Sequence, residues 1–171
     1  MAALRDQYRD GTDDRLIGIA WVSKNKRIGP QKSMTLMELA QLTGIPGIRF
    51  IDLQYGDTAG ERAQFGDETG TSIVHDDSID QMADLDAFAA QVAAMDLVIS
   101  VSNTTVHFAG ALGVPAWVML NTVPLPCWLL EGDDSPWYPS ARLLQRGLTD
   151  SATTPRMSAF GGKAESNSGC G

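Results

Sequence analysis

The sequence of 171 residues predicts an α/β protein: a Rossmann-like, doubly wound parallel sheet in a single domain. Three observations carry that expectation. Short apolar runs recur, LIGIAWV at 16–22, IRFIDL at 48–53, LVISV at 97–101 and PAWVML at 115–120, each with the length and continuous hydrophobicity of a strand buried on both faces. Segments with helical spacing separate them. Glycine and proline punctuate the joins, and such alternation builds βαβ units with right-handed crossovers.

The elements follow in order. Residues 1–14, MAALRDQYRDGTDD, are charged and read as an N-terminal linker; they have no apolar signal core. LIGIAWV is the first strand, and SKNKRIGPQKS after it is a loop. TLMELAQL has helical spacing through Leu36, Leu39 and Ala40, with Ser33 or Thr35 as its cap, and Gly44 with Pro46-Gly47 ends it. IRFIDL is the second strand, GERAQFGDETG holds a short helix, and TSIVH at 71–75 is the third strand. Asp84 caps the helix LDAFAAQVAAM, whose Leu85, Phe88, Ala89, Val92 and Met95 line one face. LVISV is the fourth strand. TTVHFAGAL is a helix closed by Gly113, and PAWVML is the fifth strand, with Pro115 tolerated at its start. TVPLPCWLLEGDDSPWYPSARLLQ wraps the sheet edge, and ARLLQ offers one more strand. The domain is expected to span 15–146. Residues 147–171 are Ser, Thr, Gly and Ala with few large apolar side chains, too little to offset ordering entropy, so a disordered tail is expected.

The formal net charge is −8. No lysine and arginine cluster is dense enough to track a phosphate backbone, which argues against a nucleic-acid partner. No run of about 18 apolar residues exists, so no membrane span is expected, and a cytoplasmic location follows. The two cysteines, Cys127 and Cys170, support no disulfide framework, and no spacing suggests a metal or a cofactor.

The chemistry concentrates at Asp96–Gly113, DLVISVSNTTVHFAGALG. In a doubly wound sheet, ligands sit beyond the carboxyl ends of the strands. A helix that starts there presents unpaired N–H groups and the positive end of its dipole, which suits an anion such as a phosphate. Ser102, Asn103, Thr104 and Thr105 add hydroxyl and amide groups, and His107 falls about one turn inside. Simple N-capping explains the same residues without a ligand. Neither a GxGxxG fingerprint nor a GxxxxGKT loop is present. Lys24, Lys26, Arg27 and Lys32 make the loop after the first strand basic; it is either a solvated loop or an anion-facing one.

DLVISVSNTTVHFAGALGVPAWVML resembles the most characteristic segment of glycosyltransferase family 9, the ADP-heptose:lipopolysaccharide heptosyltransferases. It is more similar still to the glycosyltransferase-like half at the C-terminus of many bacterial tetratricopeptide-repeat proteins. IGIAWVSKNKRIGPQKSMTL resembles the first strand and phosphate loop of that half, IRFIDLQYGD its second strand, and WLLEGDDSPWYPSARLLQ the stretch that ends it. The resemblance covers about residues 15–145 and implies the C-terminal, nucleotide-sugar-binding domain of a GT-B enzyme, with the donor diphosphate held by Ser23 and Lys32, or by Lys24. It further implies that Ser102, Asn103, Thr104 and His107 match a turn that holds donor phosphate and sugar; the family has an acidic residue where this chain has Ser102. Gln54 and Tyr55 lie at the same sheet edge and are placed, from topology, at the base or ribose pocket. The implied ligand is a nucleoside-diphosphate sugar. The acceptor domain, where the family's general base is expected, is not represented, so no catalytic residue is assigned and a missing N-terminal acceptor or tetratricopeptide-repeat domain is the expected partner. The alternative is a non-catalytic interaction module on the same fold. An uncovered cleft with Trp21, Trp117, Trp128 and Trp137 also leads us to expect exposed apolar surface and self-association.

Overall fold

The strand-like runs pair side by side because each is apolar on both faces. A computed structural model of the protein describes residues 2–121, 128 and 133–145. Among these, six strands form one all-parallel sheet: β1 (Arg15–Ala20), β2 (Ile48–Asp52), β3 (Ile73–Val74), β4 (Leu97–Val101), β5 (Ala116–Leu120) and β6 (Ala141–Gln145). Their order is β3-β2-β1-β4-β5-β6, which makes the chain Rossmann-like and doubly wound. The register sets Ile17 beside Phe50 and Leu97, and Ile99 beside Trp117.

Side chains along β1 alternate between two cores, one on each face. Leu16 and Ala20 join Leu53, Val92, Val98, Val106, Val118 and Leu143; Ile17, Ile19 and Trp21 join Leu36, Leu39, Phe50, Phe65 and Ile99. Each buried Val, Leu, Ile or Phe among them contributes about 1.5–3 kcal/mol by leaving water. A Cβ on Gly18 would collide with Leu53 and Met95, so glycine at that position lets the chain after β2 and the end of α4 close on the sheet.

The helices are α1 (Ala2–Arg9), α2 (Gly29–Lys32), α3 (Ala59–Thr69), α4 (Leu85–Ala93) and α5 (Thr104–Ala111), with a 3-10 helix at Leu36–Leu42. Of the two caps open to the 3-10 helix, Thr35 is the one used: its N–H donates to the Glu38 carboxylate at 2.7 Å, a reach-back bond of the capping-box kind. Asp84 caps α4 by accepting from the Ala87 N–H at 2.9 Å. Gly113 follows α5 at φ 70°, the left-handed conformation that ends a helix.

Four details differ from the sequence expectation. Within 1–14, α1 forms and docks: Arg5 donates to the Ala94 carbonyl at 2.7 Å and to Asp96 at 2.5 Å, and Tyr8 is 2% exposed. Burial pushes the Asp96 carboxyl up, but Arg5 and the Leu16 N–H outweigh it and the net shift is downward. The 29–32 stretch, read as loop, makes the single turn of α2, with Pro30 in its first turn, where no amide donor is needed. The third strand keeps only Ile73 and Val74, because it sits at the sheet edge and pairs with β2 alone. Leu85, assigned to the inner face of α4, is exposed, since the first turn of that helix overhangs the core that Phe88 and Val92 fill.

The tryptophans also divide. Trp21 and Trp128 are buried and Trp117 packs against a core, while Trp137 is 69% exposed, so the apolar surface is smaller than four open indoles. Cys127, Cys170 and the tail expected over 147–171 lie outside the described residues. No helix among the described residues is long and apolar enough to cross a membrane.

Candidate functional site

The strand order reverses between β1 and β4. The loops leaving their carboxyl ends diverge there and open a crevice, the usual ligand position in such sheets. One rim is the loop 21–33 and the other is the turn 102–103 with the first residues of α5.

The rims are built largely from internal hydrogen bonds. Asn103 is the N-cap of α5: its Oδ1 accepts from the Thr105 N–H at 3.0 Å and from the Ser100 hydroxyl at 2.9 Å. Its amide donates across the crevice to the Val22 carbonyl at 3.3 Å. Ser102 is buried, with its hydroxyl accepting from the Trp128 indole N–H at 2.8 Å. Thr105 is wholly buried, and its Oγ1 has no hydrogen-bond partner among the described residues. Thr104 and His107 are the members of SNTTVH exposed to solvent.

The opposite rim is a closed ring. The buried Ser23 donates its N–H to the Ser33 hydroxyl at 2.9 Å, and that hydroxyl donates to the Gly29 carbonyl at 2.8 Å. A Cβ on Gly29 would run into the Ser23 carbonyl oxygen, so glycine there permits the ring to close. Lys32 stands in the last turn of α2. His107 meets Tyr138 and Trp128: its Nδ1 lies 3.0 Å from the Tyr138 hydroxyl, and its ring stacks on Trp128 with centroids 5.6 Å apart. Crowding by these neighbours and the Lys32 charge hold the His107 imidazole below its ordinary pKa. The Lys32 field therefore reaches His107 from the other rim.

The two lysines named as diphosphate ligands separate. Lys24 turns toward the end of β2, where its ammonium lies 5.0 Å from the centre of the Tyr55 ring, a cation–π distance. The Lys24 N–H donates to the Tyr55 hydroxyl at 3.0 Å. Gln54 is buried, and its Oε1 accepts from the N–H groups of Trp21 at 3.1 Å and Val22 at 2.7 Å. It thereby ties the chain just after β1 to the chain just after β2.

Tyr55 borders a second hollow, a cleft of about 130 Å³ lined with Gly56, His75, Asp80, Gln81 and Met82. Beneath it Asp52 is wholly buried yet fully bonded. Its carboxylate accepts from the Thr58 hydroxyl at 2.5 Å, His75 Nδ1 at 2.9 Å and the Gln54 N–H at 2.8 Å, and it is ion-paired with Arg62, whose Nε lies 3.2 Å away and donates to the Thr58 hydroxyl oxygen. A carboxylate offers only lone pairs, so the Nδ1 proton points at Asp52, while Nε2 lies 3.5 Å from Asp77 Oδ1. Sequence reasoning passed over Asp52, His75, Gln81 and Tyr138. The signal available was a polar residue at the end of β2, Asp52, and another just after β3, His75.

No protein-family model matches the chain. Protein FlbA of Caulobacter vibrioides is 37% identical over 128 residues, which are 74% of this chain and 21% of FlbA; the chain spans about a fifth of that relative. Among solved structures, the fold is similar to E. coli ADP-heptose LPS heptosyltransferase II with a TM-score of 0.59 at 14% identity, over 84% of this chain and 43% of that one. It is similar to a glycosyl transferase family 9 protein of Veillonella parvula with a TM-score of 0.58 at 18% identity, over 84% and 40%. It is also similar to E. coli heptosyltransferase WaaC, solved with ADP, with a TM-score of 0.53 at 14% identity, over 84% and 42%. The chain has a glycosyltransferase family 9-like fold and spans about two-fifths of each of these enzymes.

Proposed function

We propose that this chain, with its heptosyltransferase-like fold, is the nucleotide-sugar-binding half of a GT-B glycosyltransferase. The donor's diphosphate lies in the crevice between β1 and β4, and its nucleoside lies in the cleft beside Tyr55. The acceptor-binding half is supplied by another segment or another chain, an N-terminal acceptor domain or a tetratricopeptide-repeat domain being the partners to expect.

What supports this most is that Lys32, on the basic rim, lies near enough to His107 in α5, beside the Asn103-capped start of that helix, for its charge to disfavour the imidazolium. Cleavage of the sugar–phosphate bond leaves a diphosphate that gains negative charge. A lysine ammonium, a helix N-terminus and a histidine able to take a proton are the groups that stabilise such charge where it develops. General-base help for the acceptor hydroxyl needs a carboxylate or imidazole within hydrogen-bond reach of it, which we place on the acceptor half.

A second reading has its own observation. Ser102, Asn103 and Gln54 are taken up by internal bonds, as they would be in a binding module that retains the fold without the ligand. Calorimetric titration with a panel of nucleoside diphosphates separates the two. Donor binding predicts saturable affinity for one base, weakened at least about tenfold by Lys32→Ala through loss of a charge-assisted contact, with the unfolding midpoint of the ligand-free chain unchanged. No heat with any base, or equal affinity in the variant, supports the interaction module instead.

A further inference from the structure

Helix α1 has no residue in the crevice or the cleft, yet one of its side chains is bonded to the cleft wall. The Tyr8 hydroxyl donates to Asp76 Oδ2 at 2.7 Å and accepts from Gln91 Nε2 at 3.2 Å. Asp76 Oδ1 in turn accepts from the N–H of Ser78 at 3.0 Å and from its hydroxyl at 2.6 Å. Gln91 Oε1 accepts from Gln81 Nε2 at 3.4 Å, and that amide also donates to the Asp52 carbonyl at 3.3 Å. Tyr8, Asp76 and Gln91 are all buried, Gln91 completely. The chain of bonds therefore runs from α1 to Ser78 on one branch and to Gln81 on the other, and Gln81 lines the cleft.

The cleft wall needs such anchors. Residues 75–83 lie in neither helix nor strand, so few ladder bonds hold their backbone, and segments of that kind open locally at low cost. The bond from Tyr8 ends on a carboxylate, the stronger class of hydrogen bond. Burial and the adjoining Asp76 push the Tyr8 phenol well above its ordinary pKa, so it keeps its proton and remains a donor.

We propose that Tyr8 is a positioning residue for the nucleoside cleft: through Asp76 and Gln91 it holds the 76–82 wall in the shape that receives the base and ribose. This rests on the reading of the cleft as the nucleoside site. A consequence is that anything which moves α1 also moves the cleft.

Tyr8→Phe keeps the ring and removes the hydroxyl. The expected result is amide hydrogen exchange about tenfold faster over 77–82, with β1 and β4 unchanged, because an anchor of the local segment alone is lost. Affinity for the preferred nucleoside diphosphate falls about three- to tenfold, in line with a buried hydrogen bond left half made. Affinity for inorganic pyrophosphate, which needs only the crevice, stays the same. Gln91→Met cuts the second branch and gives the same pattern. Unchanged exchange over 77–82 in both variants overturns the proposal. So does faster exchange with nucleotide affinity intact, or with pyrophosphate affinity lost in parallel. Failure of the underlying reading shows in the parent chain instead, as binding of pyrophosphate with no gain from any nucleoside.

Discussion

His107 illustrates how much a single side chain depends on what folds against it. Its ring stacks on Trp128 and meets the Tyr138 hydroxyl, and together with the Lys32 charge that environment disfavours the protonated form. The unfolded chain takes up the proton near its ordinary pKa of about 6.5, whereas the folded chain takes it up only at lower pH. The folded state therefore binds fewer protons in that window, and stability falls as pH drops below about 6.5. His107→Gln should flatten this fall in urea titrations at successive pH values. A bound diphosphate acts in the opposite direction, since its charge favours the imidazolium, so affinity in the parent chain should gain on that of the variant as pH falls. Parallel pH profiles for parent and variant would show that His107 does not feel the ligand. At this scale the sequence was only half legible. SNTTVH reads as a row of donors, but Ser102, Asn103 and Thr105 face inward. What holds Asn103 and Ser102 inward is Val22, 81 positions from Asn103, and Trp128, 26 positions from Ser102, and no local pattern reports contacts at that range.

Elements were more legible, because hydrophobic period and capping are local properties. The central strands stand where continuous apolar runs predicted them, and the Asp84 cap and the Gly113 stop act as their residue types suggest. The misses have local causes too. In α1 the sequence shows charged residues, and only the finished sheet reveals that Tyr8 and Leu4 reach a core. The turn α2 is too short for a periodic signal. Within α5, Gly110 looks like a weak point, since alanine would gain about 1 kcal/mol in helix propensity. A Cβ there would instead strike the base of the Tyr138 ring, which cannot swing aside as a flexible side-chain end can. Overpacking of this sort costs about 1–3 kcal/mol, so the clash wins. Gly110→Ala should lower the urea midpoint and, by pushing Tyr138 off His107, weaken diphosphate binding. A stabilised variant would show that the Tyr138 contact is loose.

At the scale of the molecule, one sheet edge carries two adjoining hollows with different chemistry. The crevice at the β1–β4 reversal gathers Lys32, His107 and the start of α5; the cleft at the ends of β2 and β3 gathers Tyr55, His75 and Gln81. The basic loop divides between them, with Lys24 on Tyr55. That division was not legible in the sequence, where Lys24 and Lys32 were alternatives for one role. The overall charge of −8 makes these few cations a local feature rather than part of a basic face, which suits one small anion. An amide-resolved NMR titration of the ligand-free chain with nucleoside diphosphates, and with pyrophosphate alone, tests donor binding most directly. Donor binding predicts that one base shifts amides at both hollows together, around 24–33 and 103–107 and around 55–56 and 77–82, while pyrophosphate shifts only the first group. Spectra unchanged by every base up to millimolar concentration, or shifts confined to surfaces away from both hollows, would contradict it.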